Sequence, residues 1–319
     1  MKFKKKILVT GGSGFFGSHL VKQLISIGHQ VCVTTKYDSI FENIRLAKIW
    51  NKIKILECDL RNNNSIDQIN KFKPEIIFHL AAYNDVKGSF ENYTEALESN
   101  VIATSNLLER AKDYSQLIYI STSEIYGKQD VRKLFSENLK PSPVSPYSIG
   151  KYTGELYAKM HMEQFKKPIK ILRPFNIFGE TQSVKAVIPE LILKFLQNQN
   201  VKITNGTQTR EFNYVGNTVN FLIRAMEVDS LIGQVINVSD GTEINIRNLA
   251  KILKRLTNSK SKIIVGGLKE RKSEIYRMKA STSNMKKYLK NTKIITFEKG
   301  LKKTIDWHKN YYPKINDIC

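Results

Sequence analysis

Cysteine is scarce in this chain, with three residues among 319. Cys32, Cys58 and Cys319 include no pair with metal-ligand spacing, and an odd count argues against a disulfide framework. We therefore expect no metal site, and a structural role for the two cysteines in or beside predicted strands. Long apolar runs are missing too, since none approaches the roughly 20 residues that a membrane-spanning helix needs. We accordingly expect no membrane partner.

Acidic residues are outnumbered, with 29 Asp and Glu against 51 Lys and Arg and a formal net charge of +22. A basic balance can mark a nucleic-acid binder, but the lysines are spread along the chain and no nucleic-acid motif accompanies them. We expect no dedicated nucleic-acid partner, although a basic field would attract a doubly charged nucleotide. Met1–Lys6 leads directly into a strand and leaves no room for a signal peptide, which predicts a cytoplasmic protein.

Short apolar runs alternate with segments of helical spacing over the first half of the chain. The runs are Ile7–Val9, Val31–Val33, Ile53–Leu56, Ile76–Leu80, Leu117–Ile120 and Ile169–Leu172. Between several of them, apolar residues recur at the three- and four-residue intervals of an amphipathic helix. This alternation predicts an α/β fold, a Rossmann-type doubly wound parallel sheet with helices on both faces.

The pattern loosens after about Arg173. Helix-like stretches at 188–196 and 215–226 mix with short strands at 201–203 and 234–238. We predict an NAD(P)-binding Rossmann domain over 1–173, to which later elements near 213–240 return. Residues 174–319 would form mainly a smaller, discontinuous α/β substrate-binding domain.

Three glycines stand between the first strand and the first helix. Gly11, Gly14 and Gly17 give the spacing G-x-x-G-x-x-G, which lets the backbone approach a pyrophosphate at the positive end of a helix. Because the strand-turn-helix context is also met, the motif predicts dinucleotide binding. The alternative is a glycine-rich turn needed only for tight packing.

The second strand lacks the acid that usually binds the adenosine ribose of NAD. That position contains Thr34, Thr35 and Lys36, and Asp38 lies nearby as a possible substitute. A lysine without the acid suits a 2′-phosphate, so the sequence favours NADP over NAD. Asp59 and Leu60 close the third strand, where they could contact the adenine ring or serve as an ordinary strand end.

A polar cluster follows the fifth apolar run. Ser121, Thr122, Ser123 and Glu124 place hydroxyls and a carboxylate at the end of a core strand. In an open α/β sheet, ligands bind at the carboxyl ends of the strands. The alternative is a strand end that opens into a solvated loop.

Tyr147 and Lys151 stand four residues apart after a proline-rich loop. On a helix this spacing puts both side chains on one face, where the ammonium would lower the pKa of the phenol. Such a tyrosine can take a proton from a hydroxyl while hydride leaves the same carbon.

With these motifs together, the chain resembles the extended short-chain dehydrogenase/reductases of the nucleotide-sugar epimerase/dehydratase family. The matching segments cover nearly the whole chain: Thr10–Leu20, His79–Ala82, Asn100–Thr104, Ser121–Gly127, Ser145–Lys151, Leu172–Gly179, Arg210–Val215 and Arg271–Glu274.

The resemblance implies roles for particular residues. Tyr147 would be the base that oxidises the sugar, assisted by Lys151 and Thr122. Substrate contacts would come from Asn176, near the diphosphate, and from Arg210 and Arg271, whose guanidinium groups would clamp it. The implied cofactor contacts are Gly11, Ser13, Gly14, Phe15, Phe16, Gly17, Lys36, Arg45, Asp59, Leu60, Leu80, Ala81, Ala82, Tyr147 and Lys151. Relatives act as homodimers through helices that flank the sheet, so we expect a homodimer.

The catalytic candidates at the strand-five site are Thr122, Ser123 and Glu124, together with Tyr147 and Lys151. The Thr-Ser-Glu triplet is similar to that of GDP-mannose 4,6-dehydratases, and the spacing of Lys36, Ser39, Phe41 and Arg45 is similar to their basic NADP-binding segment. The dTDP-glucose dehydratases carry Thr-Asp-Glu instead, with Asp as the acid. Since Ser123 cannot readily supply that proton, Glu124 would act as both base and acid.

The leading hypothesis is an NAD(P)-dependent nucleotide-sugar 4,6-dehydratase. It would oxidise C4 of the hexose, eliminate water across C5 and C6, and return hydride to C6. A 4-epimerase on a UDP- or other NDP-hexose is the first alternative. Leu172–Gly179 is similar to the common epimerase motif, which argues against guanine as the base of the nucleotide. A UDP-glucuronate decarboxylase also stays open, although its substrate would require an additional arginine. A non-catalytic nucleotide-binding regulator is disfavoured by Tyr147, Lys151 and Thr122.

Overall fold

The computed structural model describes residues 4–36, 44–270 and 275–312. A seven-stranded parallel sheet lies at its centre, with the strand order β11-β6-β5-β4-β1-β2-β3. Its strands are β1 (Lys6–Thr10), β2 (Gln30–Thr35), β3 (Ile53–Glu57), β4 (Ile76–His79), β5 (Gln116–Ile120), β6 (Ile169–Pro174) and β11 (Val235–Val238). This sheet confirms the predicted Rossmann-type fold, and each predicted strand lies within two residues of its observed bounds.

Helices cover both faces of the sheet because its strands are apolar on both sides. Ile7 and Val9 of β1 pack into one apolar cluster, and Leu8 packs into another on the opposite face. The helices of the first half are α1 (Phe15–Ser26), α2 (Ile66–Phe72), α3 (Tyr93–Leu97), α4 (Ala103–Arg110) and α5 (Pro146–Phe165). A π-helical turn, Glu98–Ile102, joins α3 to α4.

The second half adds small sheets and further helices around one end of the main sheet. Its strands are β7 (Ile177–Phe178), β8 (Val201–Ile203), β9 (Thr209–Glu211), β10 (Asn213–Tyr214), β12 (Glu243–Asn245), β13 (Ile263–Val265) and β14 (Arg277–Met278). Its helices are α6 (Val187–Leu196), α7 (Val215–Glu227), α8 (Ile246–Leu256), α9 (Ser283–Tyr288) and α10 (Phe297–Asn310). Single 3₁₀ turns occur at Ala47–Lys52, Asn63–Ser65, Gly88–Phe90, Ser123–Tyr126 and Asp229–Leu231.

The chain crosses between its two halves more than once. Strand β11 lies beside β6 in the main sheet, and α7 packs against α1. Strands β9, β12 and β14 form a separate sheet near the carboxyl ends of the main strands. The division at 173 and 174 into a cofactor domain and a substrate domain stays a prediction.

Neither a membrane-spanning helix nor a cluster of metal-binding side chains is present among the described residues. Within 4–36, 44–270 and 275–312, no helix has the length and apolar character to cross a membrane. Over the same residues, no three His, Cys, Asp or Glu side chains form a group that could hold a metal ion.

Candidate active site

A pocket of about 280 Å³ opens at the carboxyl ends of β1, β4, β5 and β6. The structure brings the glycine loop, the Ser121–Glu124 segment, Tyr147 and Lys151 together around it. Asn176, which follows β6, also lines it. These segments are distant in sequence, and the parallel strand order makes their ends converge.

The glycine loop forms a cradle at the start of α1. A Cβ added at Gly17 would overlap the carbonyl oxygen of Gly11, so this crossing requires glycine. Gly14 is the N-cap of α1 and provides no side-chain hydrogen bond to the first turn. The cradle and the uncapped amide groups fit the pyrophosphate of a dinucleotide. Phe15 and Phe16 line the pocket beside this loop.

A buried chain of hydrogen bonds supports the loop from beneath. The amide of Ala81 donates to Thr10 Oγ1 at 3.1 Å, and Thr10 Oγ1 is 2.8 Å from His79 Nδ1. His79 Nε2 lies 3.0 Å from Thr104 Oγ1, whose hydroxyl donates to the carbonyl of Asn100. Because an amide donor begins this chain and a carbonyl ends it, His79 carries its proton on Nε2. Burial lowers the pKa of His79 to about 3, so it stays neutral. Leu80 and Ala82 line the adjacent pocket wall.

The end of β2 carries an ionic cluster. Lys36 Nζ lies 2.5 Å from Glu95 Oε1, and Arg61 Nη1 contacts Glu95 at 2.9 Å and Glu98 at 3.0 Å. Arg61 also contacts Asp59 at 2.6 Å. Hydrogen bonds from Arg61 lower the pKa of Asp59 although burial opposes them. Lys36 is therefore paired with the carboxylate of Glu95, a contact that the sequence does not predict.

Other predicted cofactor residues lie around this edge. Arg45 donates to the carbonyl of Thr181 at 3.3 Å and to that of Ser13 at 3.5 Å. Leu60 is buried, and its carbonyl accepts a hydrogen bond from Asn106. Asp38, Ser39 and Phe41 lie outside the described residues.

The Ser121–Glu124 segment forms a 3₁₀ turn that begins directly after β5. Thr122 caps this turn, and its hydroxyl accepts a hydrogen bond from the Glu124 amide at 3.2 Å. Ser121 donates to Glu155 at 2.9 Å, so it faces the protein interior. Ser123 donates to Met278 Sδ at 3.2 Å and is 1% exposed. Glu124 is partly exposed and lines the pocket.

Tyr147 lies at the start of α5, next to Thr122. Burial is the largest of the effects that raise the pKa of Tyr147 to about 12. The carboxylate of Glu124 acts in the same direction, and a hydrogen bond with Thr122 acts against both. The prediction that Lys151 lowers the pKa of Tyr147 is therefore wrong. The reason is that Lys151 is itself deeply buried, which lowers the pKa of its ammonium to about 7.

One predicted substrate residue, Arg210, lies apart from the pocket lining. Arg210 donates to the carbonyl of Thr209 at 2.8 Å and to that of Ile275. Arg271 lies outside the described residues. Of the two that the structure describes, Asn176 lines the pocket, and its carbonyl accepts a hydrogen bond from the Asn213 amide at 2.7 Å.

Three residues behind the site, Tyr119, Glu155 and Arg173, are not among those predicted from the sequence. Lys151 Nζ lies over the ring of Tyr119, 4.4 Å from its centroid. Glu155 and Arg173 form an ion pair in which the side chains are 0% and 1% exposed. Each carried a detectable signal: Glu155 is four residues after Lys151, and Arg173 is a charged residue at the end of an apolar strand. Tyr119 is two residues before Ser121, on the same side of β5.

This sheet, with its glycine loop and the Tyr147–Lys151 pair at one pocket, defines a dinucleotide-binding enzyme fold. A sequence profile of the NAD dependent epimerase/dehydratase family matches residues 7–239. The chain belongs to this family. It is an NAD-dependent enzyme of the kind that includes nucleotide-sugar dehydratases, epimerases and decarboxylases.

Its relatives differ in activity. The chain is 31% identical to a putative UDP-glucose 4-epimerase of Methanocaldococcus jannaschii, over 95% of this chain and 98% of the relative. It is 31% identical to a UDP-N-acetyl-alpha-D-glucosaminuronate decarboxylase of Bacillus cytotoxicus, over 96% and 98%. It is 29% identical to the human dTDP-D-glucose 4,6-dehydratase, over 97% and 91%.

A solved structure gives the same architecture. A mutant of UDP-glucuronic acid 4-epimerase from Bacillus cereus, in complex with a fluorinated UDP-sugar and NAD, has a TM-score of 0.89. The two chains are 26% identical, over 96% of this chain and all of the other.

Proposed function

We propose that this enzyme is an NAD-dependent nucleotide-sugar 4,6-dehydratase. The observation that carries the proposal is the position of Glu124. Among the described residues that line the pocket, Glu124 is the one carboxylate, and it lies close enough to Tyr147 to raise the pKa of that phenol. Elimination of water requires a base that removes the C5 proton, whereas 4-epimerisation does not.

The side chains divide the proton transfers between them. Tyr147 takes the proton of the C4 hydroxyl, with Thr122 as its hydrogen-bond partner. NAD, when bound, would accept the hydride from C4 and later donate it to C6. Glu124 removes the C5 proton, which the C4 ketone has made acidic, and passes it to the departing C6 hydroxyl as water forms. The proton held by Tyr147 balances the reprotonation of C5.

Ser123 lines the pocket, but its hydroxyl is engaged elsewhere. Its hydroxyl donates to the sulfur of Met278 in a buried contact, and a serine is in any case too weak an acid to protonate a leaving hydroxyl at neutral pH. The proposed dehydratase therefore uses Glu124 as both base and acid. This assignment agrees with the absence of a second carboxylate from the described pocket lining.

The charge of the pocket favours a neutral hexose over a uronic acid. Lys151 is the single cationic side chain in the described part of the lining, and it is 2% exposed. A substrate carboxylate would be desolvated there without a guanidinium partner, which is costly. Decarboxylation is therefore less favoured than dehydration. A 4-epimerase on a neutral hexose stays the second candidate, favoured by the similarity to the putative UDP-glucose 4-epimerase.

A substrate panel tests the reaction. The protein is incubated separately with GDP-mannose, dTDP-glucose, UDP-glucose, UDP-GlcNAc and UDP-glucuronate, and product masses are measured. A loss of one water supports dehydration, and a loss of carbon dioxide contradicts it. An unchanged mass with altered sugar coupling constants in NMR would establish the epimerase instead.

A variant then tests Glu124 itself. Glu124→Gln should abolish the loss of water while reduced cofactor still accumulates, because oxidation at C4 depends on Tyr147. The matched control is Glu163→Gln, which changes an exposed carboxylate on α5 and should turn over normally. Normal dehydration by Glu124→Gln would exclude Glu124 as the C5 base.

The cluster at β2 supports NAD rather than NADP. Lys36, the predicted partner of a 2′-phosphate, is paired with Glu95, and Asp59 and Glu98 add two more carboxylates at this edge. Hydrogen bonding to Lys36 lowers the pKa of Glu95, so it is ionised at neutral pH. A 2′-phosphate would add negative charge beside these carboxylates, which costs free energy.

A homodimer through α3 and α5 is the proposed assembly. These helices pack together. Large apolar side chains are exposed on them and on the π-helical turn that follows α3: Tyr93, Leu97, Ile102, Ile149, Leu156 and Tyr157. Exposed apolar surface marks association sites when such side chains adjoin. Light scattering should give a dimer mass, and Leu97→Glu with Leu156→Glu should give a monomer. Ile232→Glu, an exposed apolar site elsewhere, should leave the dimer intact.

A further inference from the structure

The surroundings of Lys151 leave its charge poorly supported. The side chain is 2% exposed, and burial of an ammonium group favours its neutral form. The charge of Glu155, one helical turn further along α5, opposes this effect. Its charge is already shared by Arg173 at 2.5 Å and by Lys159 at 2.9 Å.

The other groups around Lys151 do not supply the missing charge. His79 on β4 is neutral, because burial lowers its pKa to about 3. Tyr147, on the same helix, carries no charge near neutral pH, because burial raises its pKa to about 12. Glu124, on the turn after β5, raises the pKa of Tyr147. The face of the Tyr119 ring is a further group that can stabilise the Lys151 ammonium.

Tyr119 is built into the site as a rigid support. It is 0% exposed on β5, and its hydroxyl donates to the backbone carbonyl of Lys151 at 2.9 Å. Its ring faces Lys151 Nζ at 4.4 Å from the centroid. A Cβ added at Gly154 would come within 2.5 Å of the Tyr119 hydroxyl, so the helix can approach the ring only with glycine there.

We propose that Tyr119 is a positioning residue for Lys151: its ring keeps the buried lysine protonated, and its hydroxyl fixes the helical turn that carries it. A cation over an aromatic face is stabilised by the ring quadrupole, most strongly when water is excluded. The burial of both side chains provides that condition. The catalytic consequence rests on the proposed function, because it matters only if the Lys151 ammonium assists Tyr147.

The consequence for the chemistry follows from proton balance. The competent state has a protonated Lys151 and an ionised Tyr147, and the competing state has both neutral with the same number of protons. Since the two groups titrate as a pair, weaker support for the ammonium lowers the competent fraction at every pH. Removing the ring should therefore lower kcat, and it should move the acidic limb of the pH profile to lower pH.

Two substitutions separate the ring from the hydroxyl. Tyr119→Phe keeps the ring and loses the hydrogen bond, whereas Tyr119→Leu loses both. The proton affinity of Lys151 is read directly in the NAD-loaded protein by ¹³C NMR of protein labelled at the lysine Cε. The Lys151 signal is assigned by its absence from Lys151→Met.

Lys170 provides an internal reference. Burial lowers its pKa to about 8, and its Nζ donates to the carbonyl of Ala225. Lys170 pairs with Ile118 in the sheet, so its side chain lies on the face opposite to the Tyr119 ring. Its titration should be the same in the wild type and in both variants. A change at Lys170 would indicate a general loosening of the fold and would be counted against the proposal.

Tyr119→Leu should weaken the proton affinity of Lys151 about tenfold, equivalent to about 1.4 kcal/mol, a value between those of exposed and fully desolvated cation–π contacts. Tyr119→Phe should change it less than threefold. An unchanged Lys151 titration in a folded Tyr119→Leu that binds NAD would overturn the proposal. Because NMR reads the lysine itself, a wrong reaction assignment would leave this result intact, whereas a wrong role for Tyr119 would not affect the substrate panel.

Discussion

Arg173 holds the carboxylate of Glu155 with two hydrogen bonds, from Nη2 at 2.5 Å and from Nε at 3.0 Å. The pair ties β6 to α5 directly behind the active site, and Ser121 adds a third hydrogen bond to the same carboxylate. Hydrogen bonds from Arg173 keep the pKa of Glu155 low although burial would raise it. Breaking such a pair leaves one buried charge without its partner.

We predict that Glu155→Gln lowers the free energy of unfolding by about 3–5 kcal/mol, the usual cost of breaking a buried ion pair. Glu155→Leu combined with Arg173→Met should lose less than the sum of the two single variants. Urea denaturation at neutral pH measures all of these. Glu298→Gln breaks the exposed pair with Arg255 and should leave the midpoint unchanged. Equal effects of Glu155→Gln and Glu298→Gln would show that burial does not matter here.

Glu211 should make the stability of the protein depend on pH. It is 0% exposed, and burial raises its pKa to about 7 although Ser239 and Ala280 donate to it. The folded state therefore binds this proton more tightly than the unfolded state. Stability should fall as pH rises from about 4.5 to about 7, the interval between the unfolded and folded pKa values.

We predict that Glu211→Gln gains stability over the wild type by about 2–3 kcal/mol between pH 5 and pH 8. Glu243→Gln is the control of opposite sign. Hydrogen bonds from Arg277 lower the pKa of Glu243 to about 2, so its stabilisation is fully present throughout that interval. The difference between the wild type and Glu243→Gln should stay constant from pH 5 to pH 8. A flat difference for Glu211→Gln as well would contradict the raised pKa.

Gly17→Ala should abolish cofactor binding. The added Cβ would overlap the Gly11 carbonyl oxygen, so the loop would have to leave the geometry that exposes the first amides of α1. Calorimetric titration with NAD measures the loss. Gly28→Ala at the other end of α1 is the control: its φ is +93°, and nothing lies within 4 Å of the new Cβ. It should cost about 1–2 kcal/mol of stability and bind NAD normally.

Glu95→Gln should shift cofactor preference towards NADP. The change removes one negative charge from the β2 cluster and loosens the hold on Lys36. We expect at least a tenfold gain in NADP affinity relative to NAD, equivalent to about 1.4 kcal/mol. Calorimetry with each cofactor reads this without turnover. Lys36→Met in the same background should remove the gain, and a gain that persists would show that Lys36 is not the phosphate partner.

Local patterns are enough to predict most of the main sheet. Its strands are buried on both faces, so each appears in the sequence as a continuous apolar run. Partners distant in sequence are not predictable in this way. The sequence alone predicts a phosphate as the partner of Lys36. The structure pairs Lys36 with Glu95 instead, and this contact is not predictable because it joins residues 59 positions apart. Likewise, nothing near Ser123 indicates its contact with Met278, 155 positions later.

The expected low pKa of Tyr147 is wrong for a physical reason. Four-residue spacing on a helix correctly places Tyr147 and Lys151 on one face, and both line the pocket. The spacing does not show how deeply the two side chains are buried. Burial raises the pKa of Tyr147 and lowers that of Lys151, so it favours the neutral form of both groups. The aromatic residue under Lys151 is easily overlooked because a tyrosine in an apolar run resembles any other core residue.

The order of synthesis has a consequence for β6. Its outer neighbour, β11, ends at Val238, so more than sixty residues must leave the ribosome after β6 before the sheet is complete. Until then β6 is an unpaired edge strand, and it exposes apolar side chains such as Ile171 and Leu172 that the folded protein buries. Unpaired edges of this kind pair with strands of other chains. Chains truncated between β6 and β11 should consequently aggregate during translation, and this protein should depend on chaperones more than its finished surface suggests.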